Sequence, residues 1–210
     1  MISGLYHCAT NMILHRDIKP QNILVVQKTI IKLCDFGLAR PSNIPAKKYS
    51  DQVMTLGYRP PEILLGSKNY NHKADMWSIG CVMAEMVNVE KKALFRGKNK
   101  FDQIGKIFKK KSTGEITESW PGVKDLDGWK TFSEQYFVPE TKIKTDLKML
   151  TEDEQLLETG SLKTSETNSK SLLEFEMESG NLSRLDSDGA HLLMQLLELD
   201  PKKRINAAQS

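Results

Sequence analysis

The 210-residue sequence has only three cysteines, Cys8, Cys34 and Cys81, isolated from one another and odd in number. Such usage argues against a disulfide framework or a zinc site and fits a reducing compartment. No apolar run approaches the length needed to cross a membrane. Met1-Ile2-Ser3-Gly4 has no basic flank leading into an apolar stretch, so no signal peptide is read. Net charge is only +3, which gives little support to binding of nucleic acid or membrane surfaces. There is no internal repeat, and no glycine-rich loop of the kind that cradles phosphates. The expectation is a soluble intracellular protein, cytoplasmic or nuclear, with neither nucleic acid nor membrane as partner.

The hydrophobic pattern that is present is mainly helical. Ile2, Leu5, Tyr6 and Ala9 recur at helical spacing, so the chain opens on the last turns of a helix. Residues 23–26 and 30–34 flank Gln27-Lys28-Thr29 as a short β-hairpin. Pro41, Pro45, Pro60 and Pro61 exclude a continuous helix or central strand after Gly37. Ile63 to Leu65 reads as one helical turn closed by Gly66. His72 to Val89 is predicted as a core helix, because Trp77, Cys81, Val82, Ala84, Met86 and Val89 make too broad an apolar surface for a helix at the surface. Lys100 to Lys110 is amphipathic, with Phe101, Ile104, Ile107 and Phe108 on one side and the lysines of 98–111 as a solvated face. Ala190 to Leu199 is a further helix, stopped by Asp200-Pro201, and another begins after Asn206. Cys34 and Cys81 read as small core residues. From 141 to 183 the composition shifts to Lys, Thr, Ser and Glu, which predicts a flexible insertion with a cap at Thr151-x-x-Glu154.

The densest chemical signal is His15-Arg16-Asp17-Ile18-Lys19-Pro20-Gln21-Asn22, followed by Asp35-Phe36-Gly37. Taken singly, an Asp is a solvated charge and an Asn a turn residue. As an ordered set they supply what phosphoryl transfer needs: a carboxylate for a hydroxyl proton, and an amide and a second carboxylate for magnesium. Oxygen donors suit that hard cation.

These segments resemble the catalytic and magnesium loops of eukaryotic protein kinases. The resemblance implies a protein kinase-like fold, here mainly α with a small β-hairpin, and ATP and Mg2+ as cofactors. It makes Asp17 the group that orients the acceptor hydroxyl and takes its proton, and Lys19 the group that neutralises charge on the transferred phosphoryl. Asn22 and Asp35 become magnesium ligands; Lys19, Gln21, Asn22, Leu24 and Asp35 become the ATP-binding set, with the Gln21 backbone and Leu24 on the floor of the nucleotide site. Arg59-Pro60-Pro61-Glu62 stands where kinases carry Ala-Pro-Glu. Asp75 to Gly80 resembles the core helix whose Asp holds the catalytic-loop backbone, and Arg204 resembles the buried partner of Glu62.

Residues 35–62 align without gaps to the activation segment of cyclin-dependent kinases, of the CMGC group. Leu94-Phe95-Arg96-Gly97, Asp102-Gln103-Ile104, Ile107-Phe108 and Trp120-Pro121-Gly122-Val123 follow the same pattern. By this resemblance Thr55 bridges Asp17 and Lys19, a serine/threonine-kinase trait. Ser50 takes the activating phosphorylation position, with Arg16 and Arg40 as its clamp. Tyr49-Ser50-Asp51 does not match the Thr-x-Tyr of mitogen-activated kinases, and Gly57 replaces the Trp of cyclin-dependent ones.

The implied function is a serine/threonine protein kinase acting on Ser/Thr hydroxyls of protein substrates, with a cyclin as a possible partner. Because the glycine-rich loop, strand lysine and cyclin-contacting helix have no counterpart, residues 1–210 are expected to be a partial kinase domain. They would form the large, C-terminal lobe only, the N-lobe absent, and be inactive alone. The alternative is a non-catalytic truncated homologue that binds substrates or regulators. Retention of Asp17, Lys19, Asn22 and Asp35 favours the enzyme.

Overall fold

A largely apolar stretch from Ala74 to Val82, interrupted by Asp75 and Ser78, organises the molecule around one buried helix. The computed structural model describes residues 1–42, 55–68, 71–112, 115–136, 171, 173, 174, 177, 182 and 184–210. Helix α1 (Ile2–Thr10) leads into strand β1 (Ile13–Leu14), a loop, and the antiparallel hairpin β2 (Ile23–Val26) and β3 (Ile30–Leu33), paired Ile23 to Leu33 and Val26 to Ile30. Strand β4 (Arg40–Pro41) returns to pair with β1. Helices α2 (Pro61–Leu64), α3 (Lys73–Val87), α4 (Lys100–Lys111), α5 (Ile116–Ser119), α6 (Trp129–Tyr136) and α7 (Ser187–Leu196) follow. The fold is thus mainly helical with little strand, as the pattern predicts.

Every residue of α3 from Ala74 to Val82 is buried, and so is Ala84. Burial on all sides follows from its neighbours: α1 and α7 pack on it, and the 3-10 turn Leu56–Tyr58 lies across it. The crossing with α7 is close enough to require Gly80, where a Cβ would stand 2.7 Å from Leu197 Cδ2. Trp77 stacks on Phe95 with ring centroids 5.7 Å apart. Met86 and Val89, expected in this core, are instead 57% and 51% exposed, because the helix emerges from its neighbours at its C-terminal end.

Other departures have similar tertiary causes. In α1 the buried residues are Leu5 and Cys8, while Tyr6 points outward. Cys81 is in the core as expected, but Cys34 is only half-buried and Cys8 takes its place. Helix α7 starts at Ser187, earlier than predicted, because the Asp186 carboxylate caps it by accepting from Gly189 N at 2.8 Å. After Asn206 the chain makes turns rather than a helix. Most of 141–183, including Thr151 and Glu154, lies outside the described residues. At its end, however, Leu173 and Leu182 are fully buried. There Ser171 and Glu174 form a capping box, Ser171 N donating to Glu174 Oε2 at 2.6 Å and Glu174 N to Ser171 Oγ at 3.3 Å.

The β2–β3 turn is tight, with Thr29 N donating to Val26 O at 3.3 Å. Its two central residues, Gln27 and Lys28, have φ of 50° and 64°. Positive φ at both positions suits Asn-Gly far better than Gln-Lys. The double substitution Gln27→Asn/Lys28→Gly is therefore expected to stabilise the fold by about 1 kcal/mol, a rise in Tm of about 2–4 °C. Thermal unfolding checks this; an unchanged or lower Tm counts against it.

The lysines of α4 were expected in solvent, and Lys111 is not. It is buried, its Nζ 3.7 Å from Met194 Sδ, and burial pulls its pKa down to about 8 despite the carboxylates of Glu198 and Glu174. Between about 8 and the ordinary 10.5 the unfolded chain holds this proton more tightly than the folded one. The group's contribution to stability therefore rises with pH across that window, by roughly 3 kcal/mol in all, and the cost is full below it. Urea unfolding of the natural protein and of Lys111→Met between pH 7 and 10 should show the difference between the two shrinking as pH rises. Parallel curves would contradict this.

Candidate active site

The loop between β1 and β2 is held from below by α3. Asp75, fully buried, accepts from His15 N through Oδ2 and from Arg16 N through Oδ1, both at 2.8 Å. Desolvation pushes its carboxyl up, while those two amides pull it back. Arg16 sits at φ 70°, so the chain turns sharply just before Asp17. The Asp17 backbone N–H approaches His15 Nδ1 at 3.4 Å, and His15 Nε2 lies 3.0 Å from Cys34 O. With Nδ1 accepting, Nε2 carries the proton and donates to Cys34, which ties the loop to the segment containing Asp35. Cys34 N donates to Asn22 O at 3.0 Å and closes the same link from the other side.

Asp17 is 4% exposed and its carboxylate is surrounded by donors. Lys19 Nζ reaches Oδ2 at 2.6 Å and Asn22 Nδ2 reaches it at 3.1 Å. Thr55 Oγ1 stands 3.4 Å from Oδ1 and accepts from Lys19 Nζ at 3.3 Å. Asp17, Lys19, Asn22 and Thr55 are thus brought together, as the resemblance implies. Asn22 Nδ2 also donates to the Asp17 carbonyl at 2.8 Å. Both of its N–H bonds are spent on Asp17, so its carbonyl oxygen is left to serve as an acceptor.

Asp35 sits in the left-handed region (φ 62°, ψ 70°), one carboxylate oxygen accepting from Gly37 N at 3.3 Å. The Phe36 ring lies 4.7 Å from that of His15 yet remains 45% exposed. Among the described residues no cluster of three or more His, Cys, Asp or Glu could hold a metal. The Asn22 carbonyl oxygen and the Asp35 carboxylate are the protein oxygens that could serve here. That donor set fits magnesium, which keeps its waters and takes the rest of its shell from phosphates rather than from a protein cage. Leu24 is half-exposed on β2, and Pro20-Gln21-Asn22 form a 3-10 turn leading into it.

Glu62 and Arg204 form a buried bidentate pair, Nη1 to Oε1 at 2.7 Å and Nη2 to Oε2 at 2.9 Å. Nη1 also donates to Lys73 O and Nε to Glu198 O, and the guanidinium lies 5.1 Å over the Trp77 ring. Arg16 is buried, and exposed Arg40 donates from Nη1 to Ala39 O at 2.9 Å. Ser50 lies outside the described residues, so its relation to these arginines is not part of the geometry.

Two positioning residues escaped the sequence reading. Ser78 Oγ donates to Tyr58 O at 2.8 Å, and Tyr58 Oη donates to Glu85 Oε2 at 2.7 Å. Burial and the Glu85 contact push the Tyr58 hydroxyl pKa up. At about 100° per residue, Asp75, Ser78 and Glu85 fall on one side of α3. One helix face therefore holds both the 15–22 loop and the 56–58 turn. Their signal was available as polar interruptions of an apolar helix.

A separate apolar groove of about 460 Å³ lies between the hairpin and the end of α3, lined by Ile23, Val25, Ile31, Val82 and Met86 among others. It includes none of Asp17, Asn22 and Asp35 and is not the chemical site.

The whole chain, residues 1–210, matches the protein kinase domain. It belongs to the protein kinase family. Over 211 residues it is 39% identical to cyclin-dependent kinase 11.1 of Caenorhabditis elegans, covering 100% of this chain and 24% of that protein. Among solved structures it resembles the yeast RNA Pol II CTD kinase CTDK-1 complex, with TM-score 0.71 and 31% identity over 99% of this chain and 57% of that one. It also resembles the CAK complex from Chaetomium thermophilum bound to ATP-gamma-S, with TM-score 0.71 and 30% identity over 99% of this chain and 53% of that one. The chain spans about a quarter of the curated relative and little more than half of each solved chain. Within the family its likeness is to the cyclin-dependent type, the branch indicated by the activation-segment motifs.

Proposed function

We propose that this chain carries the catalytic and magnesium loops of a cyclin-dependent-type serine/threonine kinase. The reaction these loops serve is transfer of the ATP γ-phosphate to Ser or Thr hydroxyls of proteins. The observation that carries the reading is the Asp17 carboxylate, gripped by Lys19 and Asn22 and flanked by Thr55. A binding module has no use for a buried carboxylate so oriented. The acceptor oxygen attacks the γ-phosphorus, the bond to the β-phosphate oxygen breaks to release ADP, and the hydroxyl proton passes to Asp17. Lys19 offsets charge on the moving phosphoryl group. Asn22 and Asp35 would hold magnesium, which would supply neutralisation of the phosphate charge.

The likeness to a complex bound to ATP-gamma-S supports ATP as the donor. A cyclin is the proposed regulatory partner, in keeping with the cyclin-dependent relative. Ser50, when phosphorylated, is the proposed ligand of Arg16 and Arg40, ordering the segment before Thr55.

Leu24, Val25, Ile30, Ile31 and Phe36 expose a large apolar surface over the hairpin and magnesium loop. Such a surface is covered in a working protein. We propose that residues 1–210 by themselves form the large lobe and do not turn over. Calorimetry of the 210-residue chain with magnesium-ATP is expected to show no micromolar binding. Micromolar binding would refute that part of the proposal.

A further inference from the structure

Lys111 ends α4 buried, at 9% exposure, and the acceptor it reaches among the described residues is a sulfur, Met194 Sδ on α7 at 3.7 Å. A thioether is a weak acceptor, far poorer than a carbonyl or carboxylate oxygen. The charges around the ammonium are Glu174 in the 171–174 box, and Glu198 and Arg204 beyond α7. The two carboxylates favour it and Arg204 opposes it, yet neither carboxylate closes an ion pair with it among the described residues. Glu174 is held instead by Ser171 N and Oγ, and Arg204 by Glu62. What the ammonium lacks is an oxygen where the sulfur stands. Met194 itself is only half-buried, and His191 and Gln195 beside it on α7 are exposed. A thioether so placed is open to a peroxide. The sulfur lone pair takes one peroxide oxygen: the O–O bond breaks, an S–O bond forms, sulfur loses two electrons and the peroxide is reduced to water. An oxygen on Sδ comes within hydrogen-bond reach of Nζ by rotation of the flexible methionine side chain alone.

We propose that Met194 is an oxidation site with its own receptor: a peroxide converts the thioether to the sulfoxide, and Lys111 binds the new oxygen and ties α4 more firmly to α7. A sulfoxide at a packed methionine ordinarily loosens a fold, because a polar group replaces an apolar one. Here the polar group meets a buried donor, and the sign reverses. The same bond favours the charged lysine, so the rise in stability above pH 8 or so flattens in the oxidised protein.

The test uses the full natural chain, partly oxidised with dilute hydrogen peroxide. It is held in urea where about a fifth stays folded and pulsed with protease, so that only folded molecules survive. Peptide mass spectrometry of the survivors gives the sulfoxide fraction at each methionine, with Met86, 57% exposed, as the internal reference. The Met194 sulfoxide is expected to be enriched at least about twofold among survivors of the natural chain, and depleted at least about twofold in Lys111→Leu. Both forms of Met194 are compared within one sample, so a variant of lower overall stability still reads cleanly. Met194→Gln, which sets an amide oxygen in the same place, should unfold at a higher temperature than Met194→Leu, and at a lower one when Lys111→Leu is added to both. Depletion of the Met194 sulfoxide in both proteins, or no sulfoxide at Met194 while Met86 is oxidised, overturns the proposal. So does a Met194→Gln protein that melts below Met194→Leu with Lys111 in place.

Discussion

Replacing Asp17 by Asn is expected to lower phosphoryl transfer by about 10²–10⁴-fold, with the fold intact and KM for the peptide little changed. The substitution keeps the shape and one acceptor oxygen, so Lys19 and Thr55 keep a partner. It removes the charge that aligns the acceptor hydroxyl and the oxygen that receives its proton. Asn22 Nδ2, however, donates to Oδ2 at 3.1 Å. If the new amide turns its own N–H toward Asn22, two donors face one another and Asn22 must rotate. Part of the loss could then come through magnesium, so Asp17→Asn is best measured across a magnesium titration. An apparent magnesium affinity like that of the natural protein, with transfer still lost, assigns the effect to Asp17. Activity within tenfold of the natural protein would remove Asp17 from the centre of the mechanism.

The largest effect on stability is expected at Arg204. Arg204→Ala leaves Glu62 buried, at 2% exposure, with neither of its two guanidinium donors. It also strips the Lys73 and Glu198 carbonyls of theirs and empties the space over Trp77. Breaking a buried pair from one side costs about 3–5 kcal/mol, or a fall in Tm of about 10 °C for a chain of this size. Removing both charges tells the pair's net worth from the penalty of orphaning one partner. Glu62→Met/Arg204→Met should recover a good part of the loss, since an apolar replacement of a buried pair is often nearly neutral. Urea unfolding of the single and double variants decides it. A single variant within 1 kcal/mol of the natural protein would mean that the pair is not structural.

The site was legible because phosphoryl transfer fixes residue types at fixed separations along one short loop. His15 to Asn22 and Asp35 to Gly37 lie close in sequence, and the hairpin between them is itself a local signal. The boundaries of α3 and α4 were close for the same reason: helical periodicity is local. What sequence could not supply was the surroundings of each side chain. Lys111 belongs to a lysine run, yet α7 and the residues about Glu174 enclose it. Met86 and Val89 extend an apolar stripe, yet both stay more than half exposed where α3 emerges from its neighbours. The β1–β4 pair joins Ile13 to Pro41 through two residues a side, a non-local contact without a pattern long enough to read. Glu85 gave no hint of its partner until Tyr58 was placed beside it.

The central claim is that Asp17, Lys19, Asn22 and Asp35 form one phosphoryl-transfer site. Asp35 tests it most directly, because it is exposed and its replacement should spare the fold. Magnesium-dependent transfer of γ-phosphate from ATP to a Ser/Thr peptide should be measured for the full natural chain and for Asp35→Asn. The account predicts robust transfer by the former and a loss of at least about 100-fold in the latter, with unchanged thermal unfolding. Equal transfer by both would contradict it.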